Sequence, residues 1–168
     1  MDEARKIHKG LVVEFEPPKN NIVNVTISAD GDRNLFPVVQ KIVEKAPRIE
    51  GWSFVAFRQR IPREKLKEIS LKVQGVELSP NKMKFFPMVS GDSLDLIIYG
   101  NNITDQNFNQ VAYGGLMLVD NILGEYDCVK KIRSYDFQNM PKKRAEQKDL
   151  RPLVDLAKYV DSFHNAKP

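Results

Sequence analysis

This 168-residue sequence contains few of the side chains that carry most catalytic and redox chemistry. It has one cysteine, Cys128, and two histidines, His8 and His164, which lie in the terminal segments. A single cysteine excludes an internal disulfide, and we expect Cys128 to be a small buried side chain. The sequence contains no glycine-rich phosphate loop, nucleophile elbow or paired-cysteine motif. We therefore expect no bound metal and no cofactor, and no motif identifies a catalytic residue.

Long apolar segments are also absent. No run approaches the roughly 18 consecutive apolar residues that a membrane span requires, and residues 1–8 lack the apolar centre of a signal peptide. These features predict a cytoplasmic protein of a bacterial kind that does not bind a membrane. The 26 basic and 22 acidic residues give a net charge of +4. This excess is too small to indicate nucleic-acid binding by itself.

The order of predicted elements indicates an α+β fold. In the first half, apolar residues alternate with polar ones in two segments, 11–15 and 23–27, which predicts a pair of strands. Helical spacing follows over 35–46, and a third strand is predicted at 51–57. Residues 1–9 are predicted to form one or two helical turns.

The second half of the sequence repeats the same layout. Its predicted elements are, in order, strands at 71–78, 82–89 and 94–99, a helix from Thr104 to Gly124, a strand at 126–137, and a basic loop with a terminal helix at 140–163. Together the elements predict one domain over residues 1–168, with its core in about 10–137. We expect a mostly antiparallel sheet with helices packed on one face, built from two β-β-α-β units that form a pseudo-repeat.

The third predicted strand is apolar on both faces. Trp52, Phe54 and Ala56 lie on one side, whereas Val55 and Phe57 lie on the other. A strand of this kind is typically covered on both sides by other elements. We therefore predict that it is the central strand of the sheet.

Four short segments resemble a bacterial single-domain family of unknown function. The segments are ISADG (27–31), AP followed by GW (46–47 and 51–52), AFRQR (56–60) and LGEYD (123–127). The resemblance extends over residues 10–137 and implies a single α+β domain. It implies no activity, cofactor or site residue.

Two groups of basic residues are the strongest candidates for a binding site. They are Arg58, Arg60 and Arg63 after the third strand, and Lys130, Lys131 and Arg133 in the equivalent place of the second unit. If both strands leave the sheet on one side, these cations form a surface for nucleic acid or another polyanion. The alternative is a solvated rim in which they pair with carboxylates such as Asp95, Glu77 and Glu68.

Glu125 and Asp127 are the candidates for catalysis. In the predicted strand both carboxylates lie on one face, which is the minimum geometry for general acid–base chemistry. The alternative is a pair of acids that faces solvent or contacts Lys130 and Lys131.

Gly114 and Gly115 interrupt the predicted long helix. Glycine is unfavourable inside a helix, so this pair indicates a close approach of the helix to the sheet or to a second subunit. Met117 lies beside the buried stripe of the same helix, where it is either the edge of the core or part of a partner-binding surface.

These observations favour a non-catalytic binding domain over an enzyme. Its partner would be another protein, or a second copy of the chain in a homo-oligomer. Binding of nucleic acid or another polyanion through the basic groups is the first alternative. An enzyme that uses Glu125 or Asp127 on a small molecule is the second.

Overall fold

The structure is a computed structural model that describes Lys6 and residues 8–165. It confirms the α+β fold, with strands and helices interspersed along the chain. Within the described residues the strands form three sheets, of three, two and four strands, instead of one. No helix in this part of the chain has the length and apolar character needed to span a membrane. The helical turns predicted for residues 1–9 fall mainly outside the described residues.

The first unit is a three-stranded sheet with one helix. It consists of β1 (Val12–Phe15), β2 (Val23–Ser28), a 3-10 turn (Arg33–Leu35), helix α1 (Phe36–Glu44) and β3 (Trp52–Ala56). β1 and β2 pair antiparallel, whereas β2 and β3 pair parallel across the α1 crossover. The Asp32 side chain accepts a hydrogen bond from the Asn34 N–H, which satisfies a backbone donor at the start of the 3-10 turn.

β3 is an edge strand and not the central strand that the sequence predicted. It pairs with β2 alone, and its residues are exposed or half-buried. Trp52 is 44% exposed and packs edge-on against Phe15, with ring centroids 6.4 Å apart. The prediction was wrong because β3 follows a crossover, and no further strand of the described chain pairs with its outer edge. Phe57, directly after the strand, is the side chain that enters the core.

A short helix and a hairpin connect the two units. They are α2 (Arg63–Leu66), β4 (Leu71–Val73) and β5 (Val76–Leu78). β4 and β5 pair antiparallel around Gln74 and Gly75, which both have positive φ angles.

The second unit repeats the topology of the first. It consists of β6 (Lys84–Ser90), β7 (Ser93–Gly100), α3 (Phe108–Leu123), α4 (Glu125–Lys130) and β8 (Ser134–Asn139), and it is followed by β9 (Arg151–Pro152) and α5 (Leu156–Asn165). β6 and β7 pair antiparallel, β7 and β8 pair parallel, and β9 adds to the other edge of β6. The predicted β-β-α-β pseudo-repeat is therefore confirmed in the order and direction of its strands.

Two predicted boundaries in the second unit were wrong. Residues 126–130 belong to α4 and β8 begins only at Ser134, because Gly124, with a φ of 76°, lets the chain turn directly from α3 into another helix. α3 begins at Phe108 and not at Thr104, whose N–H donates to the Asn107 side chain at 2.8 Å. Gly124 does end α3, as the sequence predicted.

Each unit has its own cluster of buried apolar side chains. One cluster lies between α1 and the first sheet, and the other lies between α3, α5 and the four-stranded sheet. α4 connects them. Val129 packs on the first cluster, Tyr126 stacks on Phe36 with ring centroids 5.5 Å apart, and Cys128 belongs to the second cluster.

Gly114 and Gly115 allow α3 to approach its neighbours closely, as the sequence predicted. A Cβ atom on Gly115 would lie 2.7 Å from Cζ of Phe137 in β8, and one on Gly114 would lie 2.7 Å from Cγ2 of Val73 in β4. Both distances are far inside the normal separation of carbon atoms in contact. α3 is therefore held tightly between the hairpin and β8.

We predict that Gly115→Ala destabilises the protein by about 2 kcal/mol, because it overpacks the contact with Phe137. This loss would exceed the gain of about 1 kcal/mol that alanine brings to a helix interior. Urea unfolding measures the change, and Asn109→Ala on the exposed side of α3 is the control. Phe137→Leu should lower the free energy of unfolding less in the Gly115→Ala variant than in the wild type, because the smaller side chain relieves the overpacking. Unchanged stability of Gly115→Ala would contradict the close contact.

Candidate functional site

The carboxylate of Glu125 is buried between the two units. Glu125 is the first residue of α4 and is 1% exposed. Its Oε1 atom accepts hydrogen bonds from the N–H groups of Ala29 at 2.9 Å and Gly31 at 3.2 Å, and Oε2 accepts one from the N–H of Arg58 at 3.2 Å. The Glu125 N–H donates to the Arg58 carbonyl at 3.0 Å. This residue thus joins the loops that follow β2 and β3 to α4.

The same arrangement corrects the geometry on which the catalytic hypothesis depended. Glu125 and Asp127 lie in a helix, where residues two apart do not share a face. The Glu125 carboxylate accepts hydrogen bonds from backbone N–H groups, whereas Asp127 forms ion pairs with Arg60 and Lys131. The prediction that the two carboxylates lie on one face of a strand is therefore wrong.

We predict that Glu125→Gln destabilises the protein by about 2–4 kcal/mol. The amide would replace one acceptor oxygen by an NH₂ donor, which would face a backbone N–H in a buried site. Glu50→Gln removes the same charge from an exposed turn and should be close to neutral. Chemical denaturation near neutral pH compares the two variants. Equal stabilities would show that the Glu125 carboxylate does not hold the units together.

Arg58 is surrounded by carboxylates beside this contact. Its Nε atom donates to Oε1 of Glu14 at 2.8 Å, and one Nη atom donates to Oδ1 of Asp30 at 3.1 Å. Oδ2 of Asp120 in α3 lies 3.7 Å from the other Nη atom. Three carboxylates therefore share one guanidinium group, and this region has an excess of negative charge although the protein as a whole is basic.

Asp120 is the least compensated of these carboxylates. The charged and titratable groups that face it are Arg58, Glu125, Glu14, Asp30, Cys128 and Tyr135. Burial raises the pKa of Asp120 to about 6; Arg58 opposes the increase and the neighbouring carboxylates add to it. In the described part of the chain, no N–H or O–H group donates a hydrogen bond to this carboxylate. A further cation or donor would stabilise its ionised form.

Arg58 and Asp120 line a cleft of about 430 Å³ between the two units. Three apolar side chains of α3 form its mouth: Tyr113, Leu116 and Met117 are 70%, 41% and 49% exposed. They lie three and four residues apart, so they form one row on the helix surface. The loop at Asp30 and the segment from α4 to β8 complete the walls. We call this space the inter-unit cleft.

The inter-unit cleft also contains the thiol of Cys128. Its Sγ atom lies 3.1 Å from the Tyr135 hydroxyl oxygen, and that hydroxyl donates to the Cys128 carbonyl at 2.7 Å. Burial raises the pKa of Cys128 to about 11, so very little nucleophilic thiolate exists near neutral pH. Cys128 is buried, as the sequence predicted, but it lies in a helix.

Two of the six predicted binding residues are engaged by carboxylates away from the cleft. Arg60 forms ion pairs with Asp127 and Asp161, and Arg63 forms one with Asp155. Both arginines line a groove beside α5 and do not line the inter-unit cleft. The predicted cations therefore do not share one continuous surface.

Lys130, Lys131 and Arg133 do come together, but not where a strand ends. They lie at the end of α4 and in the loop before β8, so their predicted position at a strand exit is wrong. With Arg33 and His164 they line a second cavity of about 450 Å³, which we call the cationic pocket. That these residues bind an anion stays a prediction.

Sequence reasoning missed Asp120, Tyr113 and Arg33. A signal for Asp120 was present, because it follows Leu116 and Met117 by four and three residues and so lies on the same side of the helix. The sequence contained no such signal for Arg33, because its contact with the Val129 carbonyl joins residues that are far apart along the chain.

No family model, curated protein or solved structure matches this chain. The resemblance to a bacterial single-domain family therefore stays a prediction. Among the described residues, no group of three or more His, Cys, Asp or Glu side chains is arranged to hold a metal ion.

We predict that Asp120→Asn stabilises the protein by about 1–3 kcal/mol at about pH 7.5. Asp120 has a pKa of about 6 in the fold against an ordinary 3.8, so its contribution to stability is present below about pH 4 and is lost as the pH rises through 6. The advantage of the variant should therefore disappear as the pH falls from about 6 to 4. Thermal unfolding across this range measures it.

Asp105→Asn, at an exposed position, is the matched control and should show no such pH dependence. A variant at position 120 that is less stable than the wild type at about pH 7.5 would contradict the electrostatic description of the cleft.

Proposed function

We propose that this chain is a binding domain without catalytic activity and that its inter-unit cleft holds a segment of a partner protein. The observation that carries this proposal is the apolar row of Tyr113, Leu116 and Met117, which lies exposed beside a concave surface with a polar base. Apolar side chains that a fold leaves exposed around a cleft are typical of interaction sites. Tyrosine and methionine are enriched in such interfaces.

The charges of the cleft indicate the chemistry of the partner segment. Arg58 is shared by three carboxylates, and Asp120 is held by the weakest of these contacts. A lysine or arginine of the partner would form a charge-assisted hydrogen bond with Asp120. An apolar side chain next to it would cover Leu116 and Met117. We therefore propose a segment that places a basic residue beside an apolar one.

A second copy of the chain suits this surface less well. In a twofold symmetric dimer the same patch faces itself. Asp30 and Asp120 of one copy would then approach the same residues of the other, and like charges in contact raise the free energy of the complex. This repulsion favours a different protein over a homo-oligomer.

The surrounding groups support binding more than catalysis. The Cys128 thiol is protonated near neutral pH, and the Glu125 carboxylate accepts three backbone hydrogen bonds. Asp127 is engaged by two cations. Glu125 and Asp127 are the two carboxylates that the enzyme hypothesis would use, and neither is free to act as a nucleophile or a general base.

The test is selection from a displayed library of random peptides, because a cleft of this kind would bind a short segment of a partner. We expect enrichment of peptides with lysine or arginine next to an aromatic or aliphatic residue. Their affinity should fall about tenfold or more on Met117→Glu, which places a charge in the apolar row. Met88→Glu is the matched control, because Met88 is an exposed methionine on β6 and does not line the cleft.

Two results would overturn the proposal. One is a selection without enrichment, and the other is a set of peptides that bind Met117→Glu as tightly as the wild type. A concentration-dependent dimer in analytical ultracentrifugation that Met117→Glu abolishes would replace the partner protein by a second copy.

A further inference from the structure

The cationic pocket lies across the α4–β8 connection from the inter-unit cleft. The two cavities share Val129, Ile132 and Arg133 in their walls. The charged and titratable residues of the pocket are Arg33, Lys130, Lys131, Arg133, His164 and Asp92. Four basic side chains thus line one concave space together with one carboxylate. Such convergence is the electrostatic feature expected of an anion site.

Carboxylates outside the pocket bind two of these basic side chains. Arg133 donates two hydrogen bonds to Asp95, in the paired geometry that guanidinium and carboxylate groups favour. Nζ of Lys131 lies 3.1 Å from Oδ2 of Asp127. Both cations are therefore largely neutralised, although each still contributes to the wall of the pocket.

No carboxylate of the described residues lies within ion-pair distance of the other two basic side chains. Among the described residues, neither Arg33 nor Lys130 forms an ion pair. An Nη atom of Arg33 donates to the Val129 carbonyl at 3.1 Å, and Nζ of Lys130 lies 5.6 Å from the centre of the Phe36 ring. These contacts hold both cations in position without neutralising them.

The pocket is built on backbone that is already fixed. The carbonyl of Val129 accepts from Arg33, and Nε2 of His164 lies 3.0 Å from the carbonyl of Lys131. The segment between these carbonyls belongs to the end of α4, whose other end is held by Glu125. An anion would therefore bind beside main chain that needs little rearrangement, which favours affinity at a polar site.

We infer that the cationic pocket binds a phosphate monoester, carried by a small molecule or by a phosphorylated side chain. A phosphate monoester can accept from both Arg33 and Lys130, and the Arg33 guanidinium can donate to two of its oxygens. A cavity of about 450 Å³ also leaves room for the group that carries the phosphate. Nucleic acid fits less well, because no Phe, Tyr or Trp lines the pocket to stack on a base. This inference does not depend on the partner proposed for the cleft.

The experiment is an NMR titration of the ¹⁵N-labelled full chain with inorganic phosphate, glycerol phosphate and a phosphoserine peptide. We expect saturable shifts at residues 33, 92–94 and 129–133 with all three probes. Tighter binding of glycerol phosphate would assign the site to a small molecule, and tighter binding of the peptide would assign it to a modified side chain.

A charge-matched pair of variants tests the residues. Arg33→Gln/Lys130→Gln should weaken phosphate binding about tenfold or more, because it removes the two basic side chains of the pocket that form no ion pair with the described residues. Lys45→Gln/Arg48→Gln removes the same charge from exposed positions outside the pocket and should change the affinity by less than about twofold. Melting temperatures show whether the variants fold. The chemical shifts of the wild type locate the binding site even if a variant does not fold.

Three results would overturn the inference. The first is the absence of saturable shifts in the wild type, and the second is an equal loss of affinity in both double variants. The third is tighter binding of a single-stranded oligonucleotide than of all three phosphate probes, which would assign the basic residues to nucleic acid.

Discussion

Three backbone N–H groups from the first unit point at the buried carboxylate of Glu125 in the second. A buried carboxylate without donors would cost several kcal/mol, so the loops after β2 and β3 and the start of α4 must take their conformations together. Arg58 provides one of these N–H groups, and this contact places its guanidinium beside Asp120. α4 begins at Glu125 and ends at the cationic pocket. Both cavities are therefore positioned by one interaction between main chain and side chain.

The two sides of α4 have opposite electrostatic character. On the side of the inter-unit cleft, Glu14, Asp30 and Asp120 share a single guanidinium group. On the other side, Arg33 and Lys130 have no counterion among the described residues. A helix of six residues thus separates an acidic surface from a basic one. Because each surface repels the ligands of the other, the two proposed sites would select different partners.

The local parts of the fold were predictable from the sequence, and the contacts between its parts were not. Alternating and helical patterns identified the first hairpin, α1 and the end of α3 at Gly124, because these features depend on residues that are close together in the sequence. The same patterns assigned β3 to the centre and α4 to a strand, since the edge of a sheet and a second helix after Gly124 depend on distant pairing. The site depends on residues such as Asp120 and Arg33, whose partners lie far away in sequence. Sequence reasoning therefore identified Arg58 as a candidate and missed Asp120.

The contact between Gly115 and Phe137 also sets the rotation of α3 about its own axis. Successive residues of a helix point about 100° apart, so a shift by one position would turn Asp120 out of the cleft and bring a neighbour into its place. With glycine at 114 and 115, only one face of α3 can lie against β4 and β8. The row of Tyr113, Leu116 and Met117 is therefore presented at a fixed angle. A partner segment would dock on a surface that is already oriented, and its binding would lose little free energy to rearrangement of the helix.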